Sequence, residues 1–397
     1  MNKKRVITLL MVLSLVISAT AQEFMFKGLQ YKVTSNKKPY TAQLVPLRGV
    51  PYPEHVEVQE HVYKNGEIYK VTSIAASAFE SQDKIKSIDL PPSIIEIGDK
   101  AFSSCKVLSS VRIPPFLRIL GKEAFRDCGL IPSFHIPPTL EYIGADAFLL
   151  CNGSIFVDPR NRVFDSREDC NCLIHTETNT LLYGCGFSFI PEGVQRIGAY
   201  SFYAANNITM IELPSSVIAI EDGAFYACWK LARVVVNGPL VKIGRSAFSR
   251  CESLSQINLP STVMEIGAKA FSKCKTLVGI DLPFDLGRIS EGCFEDCENL
   301  LSIELPEGVT MIEEDAFSGC ERLREVTFSK VLKVIGKKAF NKCESLREVH
   351  FPESILTIDD RAFNKCVSLT TVTYTGKDVK LGKKVFNDCE AIQSTPF

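Results

Sequence analysis

The sequence lacks an excess of charge of either sign. Its 397 residues include 45 basic and 46 acidic side chains, which gives a formal net charge of −1 at pH 7. Attraction to nucleic acid or to an anionic membrane surface rests on a basic excess, so this balance favours neither partner. We therefore expect no nucleic acid among its ligands, and electrostatics names no other partner.

Long apolar runs are also missing. After residue 21 no stretch approaches the roughly 20 apolar residues that cross a bilayer, and no membrane insertion is expected. The short apolar run at residues 6–17 follows three basic residues, 3–5, and precedes small residues at 19–21. This layout is typical of a secretory signal peptide. We predict a signal peptide at residues 1–21 and export of the remainder to the periplasm, the cell surface or the medium.

Catalytic and cofactor motifs are absent from the sequence. The five histidines share no motif, and there is no Gly-rich phosphate loop, His-Glu-x-x-His helix or Gly-x-Ser-x-Gly elbow. We predict that the protein is not an enzyme and has no catalytic residue, cofactor or metal. His135 and His350 are expected to be outward polar residues of strands. The only Trp, Trp229, falls in a connecting segment, so no aromatic cluster for sugar binding is indicated.

A repeat fills most of the sequence. Phe recurs every 23 residues, except for one interval of 54 between Phe148 and Phe202. A small residue usually precedes the Phe, Cys usually follows three positions later, and aliphatic residues favour positions 6, 9, 11, 15 and 18 after it. The recurring residues are Phe79, Phe102, Phe125, Phe148, Phe202, Phe225, Phe248, Phe271, Phe294, Phe317, Phe340, Phe363 and Phe386.

This register predicts a solenoid. A 23-residue repeat cannot bury its apolar face alone, but stacked repeats bury the faces of one another. Positions 6 to 11 alternate apolar and polar residues, which is the period of a β-strand, and a Pro at position 12 often follows. We expect a curved rod or horseshoe with a parallel β-sheet, an irregular outer side of short strands, and the repeat Phe residues in one buried column.

The repeat resembles that of BspA-like leucine-rich repeat proteins from bacterial and some protist surfaces. Its pattern here is Ala-Phe-x-x-Cys-x-x-Leu-x-x-Ile-x-Leu-Pro-x-x-Val-x-x-Ile-Gly, over about residues 73–392. The resemblance implies a leucine-rich-repeat-like solenoid, which we place at residues 73–397, behind an N-terminal β-rich capping module at residues 22–72. The Asn65-Gly66 pair in that module predicts a two-residue hairpin turn. For function the resemblance implies adhesion to, or binding of, a host or matrix macromolecule.

The 54-residue interval predicts one modified coil, an irregular insertion at about residues 152–190 that carries a protruding hairpin. Two short strands, 172–175 and 180–183, flank a polar turn there. The hairpin is either a structural variant of the repeat or a binding protrusion. Cys170, Cys172 and Cys185 lie in this segment, outside the repeat, and are candidates for a disulfide.

Eleven other cysteines share one repeat position. A thiol there can act as a small buried apolar group that donates weakly to a backbone carbonyl. Parallel side chains in successive coils point the same way rather than at each other, so we expect these thiols to be free. They are Cys105, Cys128, Cys151, Cys228, Cys251, Cys274, Cys297, Cys320, Cys343, Cys366 and Cys389.

Outward positions 8 and 10 of the predicted strands form the default binding face. This face becomes acidic at Asp281, Glu304, Glu325 and Glu348, either as a solvated charged surface or as a strip for a basic partner. Two functions stay open. The first is an exported binding or adhesion module for a protein or other macromolecule, and the second is a structural or scaffold component of the cell envelope without a dedicated ligand. We expect a monomer.

Overall fold

A computed structural model describes residues 23–376 and 378–392. The chain divides into two compact units, with unit 1 ending at Val163 and unit 2 beginning at Phe164. This division falls inside the predicted insertion. The predicted signal peptide at residues 1–21 lies outside the described residues. Among the described residues, no helix has the length and apolar character needed to cross a membrane.

Unit 1 begins with six strands that precede its regular coils. They are β1 (Glu23–Phe26), β2 (Leu29–Ser35), β3 (Thr41–Leu44), β4 (His55–Glu57), β5 (His61–Lys64) and β6 (Glu67–Ile74). β1 to β3 form an antiparallel meander, β3 pairs in parallel with β6, and β5 and β6 form a hairpin. Asn65 and Gly66 connect the hairpin with φ values of 51° and 83°. Left-handed backbone at both turn residues is typical of a type I′ turn, so the hairpin prediction is confirmed.

The coils of unit 1 contribute seven further strands. They are β7 (Ser87–Asp89), β8 (Glu96–Ile97), β9 (Ser110–Val111), β10 (Ile119–Leu120), β11 (Ser133–Ile136), β12 (Tyr142–Ile143) and β13 (Ser154–Val157).

Unit 2 begins with the second half of the insertion, which contains β14 (Phe164–Asp165), a 3-10 turn at Arg167–Asp169, β15 (Cys172–His175) and β16 (Thr180–Gly184). Its regular coils contribute β17 (Arg196–Ile197), β18 (Met210–Leu213), β19 (Ala219–Ile220), β20 (Arg233–Val236), β21 (Lys242–Ile243), β22 (Gln256–Ile257), β23 (Glu265–Ile266), β24 (Arg288–Ile289), β25 (Ser302–Glu304), β26 (Met311–Ile312), β27 (Glu325–Thr327), β28 (Val334–Ile335), β29 (Glu348–Phe351), β30 (Thr357–Ile358), β31 (Thr371–Tyr374) and β32 (Lys380–Leu381).

Each coil takes part in two faces. Strands between repeat positions 8 and 11 form the long-strand face, and the two-residue strands at positions 17 and 18 form the short-strand face. Most neighbouring coils pair in parallel on the short-strand face, where Ile119 lies opposite Tyr142, and the long-strand face consists of sheets of two or three parallel strands, where Phe134 lies opposite Ile155. The parallel solenoid is confirmed, and the short strands expected on the outer side form ladders of their own.

The third side of each coil carries the repeat Phe, and we call it the Phe side. The rings stack nearly parallel, with centroids 4.9 to 6.1 Å apart from Phe79 to Phe148 and 5.0 to 5.6 Å apart from Phe202 to Phe386. All except the last Phe are buried. Burying an aromatic ring stabilises the fold by about 1.5 to 3 kcal/mol, so the predicted Phe column is a main source of stability within each unit.

Backbone hydrogen bonds on the Phe side all run in one direction. Phe102 N donates to Ala124 O in the following coil at 2.8 Å, and the amides of Lys100 and Ser104 donate to the following coil in the same way. Lys100 and Ser104 have φ values of 56° and 59°. Left-handed backbone costs a non-glycine residue roughly 1 kcal/mol, which the inter-coil bonds and the Phe burial offset.

Tyr52 closes this side at the start of unit 1. Its ring lies 4.9 Å from that of Phe79, and its hydroxyl donates to Ala78 O at 2.9 Å. That carbonyl belongs to the first coil, so no preceding coil supplies a backbone N–H for it to accept. Tyr52 therefore serves as a cap for both the ring column and the hydrogen-bond ladder.

Each repeat thiol donates to a carbonyl of the Phe side. In all eleven cases the Sγ lies 2.9 to 3.3 Å from the carbonyl oxygen of the Phe in the preceding coil. All eleven are unbonded thiols. Burial raises the pKa of Cys105 to about 11 and that of Cys228 to about 12. These thiols are core donors, as the repeat position predicts.

The insertion hairpin is part of the core of unit 2. β15 and β16 pair antiparallel around the predicted turn, and β16 pairs in parallel with β17 so that Leu181 lies opposite Ile197. Ile174 and Leu181 are fully buried. The hairpin prediction is confirmed, but the expectation that it protrudes is wrong. β16 occupies the place of a short-strand-face strand and packs its apolar residues inward.

Candidate binding surface

The long-strand face presents positions 8 and 10 to solvent. In unit 1, position 10 is occupied by Asp89, Arg112 and His135, all of which are exposed. His350 occupies the same position in unit 2 and is also exposed. Both histidines therefore point outward, as predicted.

An aromatic group adjoins this column in unit 1. The register of β11 and β13 places His135 opposite Phe156, and the two rings stack with centroids 5.1 Å apart and an interplanar angle of 20°. Phe156 is 47% exposed and Phe116, on the loop beyond β9, is 60% exposed. We call the surface formed by Arg112, Phe116, His135 and Phe156 the aromatic groove.

The aromatic groove consists of two adjoining depressions that share Ile113 and His135. The polar depression has a volume of about 480 Å³ and lies between β9 and β11, with Arg112 and three serines in its lining. The apolar depression has a volume of about 490 Å³ and is lined largely by Phe, Pro and Val side chains, including Phe116 and Phe156.

A proline interrupts the long-strand face at the polar depression. In the preceding coil Ser109 N donates to Lys86 O at 3.0 Å, whereas the equivalent position of the next coil is Pro132, which has no N–H. No backbone hydrogen bond joins β9 to β11, both of which lie within the described residues. The polar depression therefore opens where two coils lack their ladder.

Most polar side chains of the apolar depression already have partners. Asp158 accepts from Arg160 Nε at 3.0 Å and from its NH2 group at 2.8 Å, and these bonds lower the pKa of Asp158 to about 2. Thr139 Oγ1 donates to Leu117 O at 2.8 Å. Arg112 differs, because it forms no ion pair with any described residue.

The expectation from the sequence that there is no aromatic cluster is wrong for this face. Phe156 lies eight residues after Phe148, which suggests position 8. The coil between them is two residues short on this face, however, so that Phe134 pairs with Ile155 only 21 residues later. The shortened coil moves Phe156 into the column of His135. The alternation of apolar and polar residues around Phe156 could have indicated that this side chain is exposed. Its neighbour His135 could not be predicted without the register of β11 and β13.

The four predicted acidic residues are all exposed, but they lie in two columns. Ser302 lies opposite Glu325, and Glu304 lies opposite Thr327, so Glu304 and Glu325 occupy different positions of their strands. Asp281 shares position 10 with Glu304, and Glu348 shares position 8 with Glu325. Exposed arginines, Arg324 and Arg347, directly precede the two position-8 glutamates. The surface is mixed in charge, and its role as a binding strip stays a prediction.

The three insertion cysteines lie together in the structure as unbonded thiols. A hydrogen bond from the Cys172 thiol lowers the pKa of Cys170, while burial raises the pKa of Cys172. Cys185 Sγ accepts from Asn171 Nδ2 at 3.2 Å. The disulfide stays a prediction. In the part of the chain that the structure describes, no three His, Cys, Asp or Glu side chains gather in a way that could hold a metal ion.

A half-buried ion pair lies within the insertion, just after β14 begins. Arg167 donates to Asp165 from Nε at 2.8 Å and from its NH2 group at 2.7 Å, and from NH1 to Asn179 Oδ1 at 3.1 Å. Thr176 Oγ1 also donates to Asp165 at 3.0 Å. Burial opposes ionisation of Asp165, but the hydrogen bonds from Arg167 and Thr176 outweigh it and lower the pKa of that carboxyl.

Stacked 23-residue coils around a Phe column define a repeat protein of the parallel β-solenoid class. The family model for the BspA type leucine rich repeat region matches the chain in six copies, over residues 64–165, 181–300 and 265–393. These matches cover more than half of the chain, and the chain belongs to this family. A search of curated proteins finds no match.

Solved structures support the same fold. A leucine-rich repeat protein from Bacteroides ovatus is 25% identical, with 94% of each chain covered and a TM-score of 0.68. A leucine-rich repeat protein from Eubacterium ventriosum is 18% identical over 89% of this chain and 95% of its own, with a TM-score of 0.58. A leucine rich cell surface protein from Faecalibacterium prausnitzii is 21% identical over 94% of each chain, with a TM-score of 0.50. The last two likenesses concern the fold alone.

Proposed function

We propose that this protein is a non-enzymatic binding module that is exported and attaches to a host, matrix or envelope macromolecule through the long-strand face of unit 1. The signal-peptide pattern at residues 1–21 supports export. The chain belongs to the BspA type family, and one protein of similar fold is described as a cell surface protein. Both observations support a role outside the cytoplasm.

The aromatic groove is the observation that carries this proposal. Contiguous exposed apolar side chains on a soluble protein usually mark an interaction site. Phe116 and Phe156 meet this description beside Arg112, whose guanidinium forms no ion pair with any described residue. Position 10 of unit 2 is mostly polar, as at Asn258 and Glu304.

Attachment of coated beads tests the proposal. Beads carrying the full exported chain are washed under flow over a surface of basement-membrane extract and, separately, of envelopes from the producing cells. We expect attachment to at least one surface and its loss with a double variant, Arg112→Glu with Phe156→Ser. The matched control is Arg233→Glu with Phe284→Ser, which changes an exposed arginine and an exposed phenylalanine in unit 2. Equal attachment of both double variants would place binding elsewhere.

The acidic residues supply a second arm of the same experiment. Charge reversal at Asp281, Glu304, Glu325 and Glu348 together should leave attachment unchanged if the aromatic groove is the site. Loss of attachment with this variant alone would move the site to unit 2 and indicate a basic partner. No attachment to either surface by any form would favour the scaffold function, as would an antibody that fails to label intact producing cells.

A further inference from the structure

We propose that the aromatic groove binds a proline-rich peptide segment in polyproline II conformation, with an apolar anchor residue followed three positions later by a carboxylate. This inference rests on the proposed function and names the chemistry of the partner. The occupant is therefore a segment of protein rather than a glycan or a lipid.

The apolar depression provides the anchor site. Its lining includes the exposed rings of Phe116 and Phe156 together with Pro115 and Pro138. Aromatic-lined grooves of this kind recognise polyproline II segments because the ligand is already extended and loses little entropy on binding. A leucine or proline side chain can displace water from this surface without leaving a polar group unpaired.

The polar depression provides the charge. Arg112 is exposed and has no ion-pair partner among the described residues, although Asp89 precedes it in the same column. Asp89 instead lies 3.4 Å from His55 Nε2, on the side away from the groove. A planar guanidinium left free in this way is suited to bind a carboxylate with two hydrogen bonds.

The spacing of the two depressions selects the peptide conformation. Arg112, His135 and Phe156 follow one another in three successive coils, so the first and last are separated by at least two strand spacings, or roughly 10 Å, and the missing ladder between β9 and β11 widens the first of these spacings. A polyproline II helix rises about 3.1 Å per residue with three residues per turn. Residues three apart therefore project on the same side and lie about 9 Å from each other. In a β-strand, residues three apart would point to opposite faces.

The hydrogen bonds within the groove disfavour a sugar. Each buried hydroxyl of a glycan needs a partner, but the Asp158, Arg160 and Thr139 side chains of the apolar depression are already engaged within the protein. The prolines that line the depression have no N–H to donate. An apolar anchor meets no such cost.

Fluorescence polarisation with synthetic peptides tests the inference on the full exported chain. The probe is a labelled, proline-rich dodecapeptide with one leucine and, three residues later, one glutamate. Three companion peptides replace the glutamate by glutamine, replace the leucine by serine, or move the glutamate next to the leucine. Titrations at low ionic strength avoid screening of the exposed arginine.

We expect the probe to bind about tenfold or more tightly than each companion peptide. Arg112→Glu should abolish the preference for glutamate over glutamine and favour a lysine version of the probe, while Phe116→Ser and Phe156→Ser should weaken binding of all peptides. Arg233→Glu and Phe284→Ser should change nothing. All five side chains are exposed, so each variant should keep its melting temperature, and Arg112→Glu and Phe116→Ser decide the matter if Phe156→Ser does not fold.

Three results would overturn the inference. The first is binding of the probe without saturation, and the second is binding of the probe to the groove variants as strong as to the parent. The third is binding to a glycan array that Arg112→Glu removes. These outcomes differ from failure of the proposed function. If bead attachment depends on the groove but the peptides do not bind, the proline-rich occupant is rejected and the proposed function stands. If no beads attach, the proposed function itself is rejected.

Discussion

Each repeat cysteine fills core space and closes a hydrogen bond to the preceding coil. The Sγ of Cys297 lies 3.2 Å from Phe271 O, and the side chain is fully buried. A serine at this position would place a more strongly solvated hydroxyl in an apolar core, and an alanine would donate nothing. The thiol combines small volume, apolar character and a weak donor.

Cys297→Ala should therefore lower the free energy of unfolding by about 1 to 2 kcal/mol, through a small cavity and a lost hydrogen bond. Urea unfolding followed by circular dichroism measures this. Val278→Ala, a truncation of a 49% exposed side chain in the neighbouring coil, is the control and should cost less than about 0.5 kcal/mol. Complete loss of folding in the Cys297 variant would contradict a packing role.

The insertion depends on a polar network where the regular coils depend on the Phe column. Asp165 and Arg167 are about one quarter exposed, with side-chain exposures of 26% and 28%, and together they connect β14 to Asn179 at the turn before β16. Asp158 and Arg160 in unit 1 form a similar bidentate pair two residues apart, but Arg160 is 79% exposed. The two aspartates are equally exposed, at 26%, so the pairs differ mainly in the access of their arginines to solvent.

Arg167→Ala should lower the free energy of unfolding by about 1 to 3 kcal/mol at pH 7, because it leaves a half-buried carboxylate without its partner. The pKa of Asp165 is lowered in the folded state, so its contribution is present above the unfolded pKa of about 3.9 and is lost as pH falls through the folded value. The difference between parent and variant should thus shrink below about pH 4. Denaturant unfolding from pH 3 to 7 measures it.

Arg160→Ala is the matched control, and its effect should be clearly smaller than that of Arg167→Ala, because water solvates the more exposed Asp158–Arg160 pair. An equal effect of both substitutions, or an Arg167 effect that grows on acidification, would contradict the account of the insertion.

The three thiols of the insertion should form one disulfide in the exported protein, because they lie together whereas the repeat thiols point in parallel. Alkylation under denaturing, non-reducing conditions followed by peptide mass mapping should find two of Cys170, Cys172 and Cys185 linked and the eleven repeat thiols free. Oxidised repeat thiols, or three free thiols in the insertion, would show this expectation to be wrong.

The sequence was sufficient for those elements whose partners lie one repeat away. The period of 23 predicts that Phe248 stacks on Phe271, and the Asn65-Gly66 pair predicts its own turn. The sequence was not sufficient where the neighbour of a residue depends on which strands pair and in which register. Phe156 joins His135 only because one coil is shortened on the long-strand face, and Leu181 enters the core only because β16 pairs with β17.

In the described part of unit 2, one junction between coils lacks the ladder on both faces. On the short-strand face β23 and β24 are not paired, and on the long-strand face no backbone hydrogen bond joins Ser255 to Val278. The Phe side continues, with Phe248 N donating to Ala270 O at 2.8 Å. Gly279 occupies position 8 of this coil, and Gly287 directly precedes β24. Glycine contributes no side-chain packing at these positions and costs conformational entropy.

Gly287→Ala should raise the free energy of unfolding by about 0.5 to 1 kcal/mol, because no atom lies within 4 Å of the added Cβ and the unfolded chain loses freedom. Gly267→Ala, in the preceding coil, should instead lower it by about 1 to 3 kcal/mol, since its Cβ would lie 2.6 Å from Arg245 N. Thermal unfolding of both variants measures the contrast. Destabilisation by Gly287→Ala would mean that this junction is more closely packed than its hydrogen bonds indicate.

The one-way hydrogen bonds of the Phe side have an electrostatic consequence. In each coil the bonded amide and the carbonyl of the residue before it belong to the same peptide group, as with Phe102 N and Ala101 O. Three peptide dipoles per coil therefore point along the stack and add from coil to coil, as they do along an α-helix. In each unit the first coil is the negative end and the last coil the positive end, and the hydroxyl hydrogen of Tyr52 lies at the negative end of unit 1. Adding a repeat increases the dipole moment of a unit by one increment and moves its two end charges further apart, while the partial charge at each end stays the same.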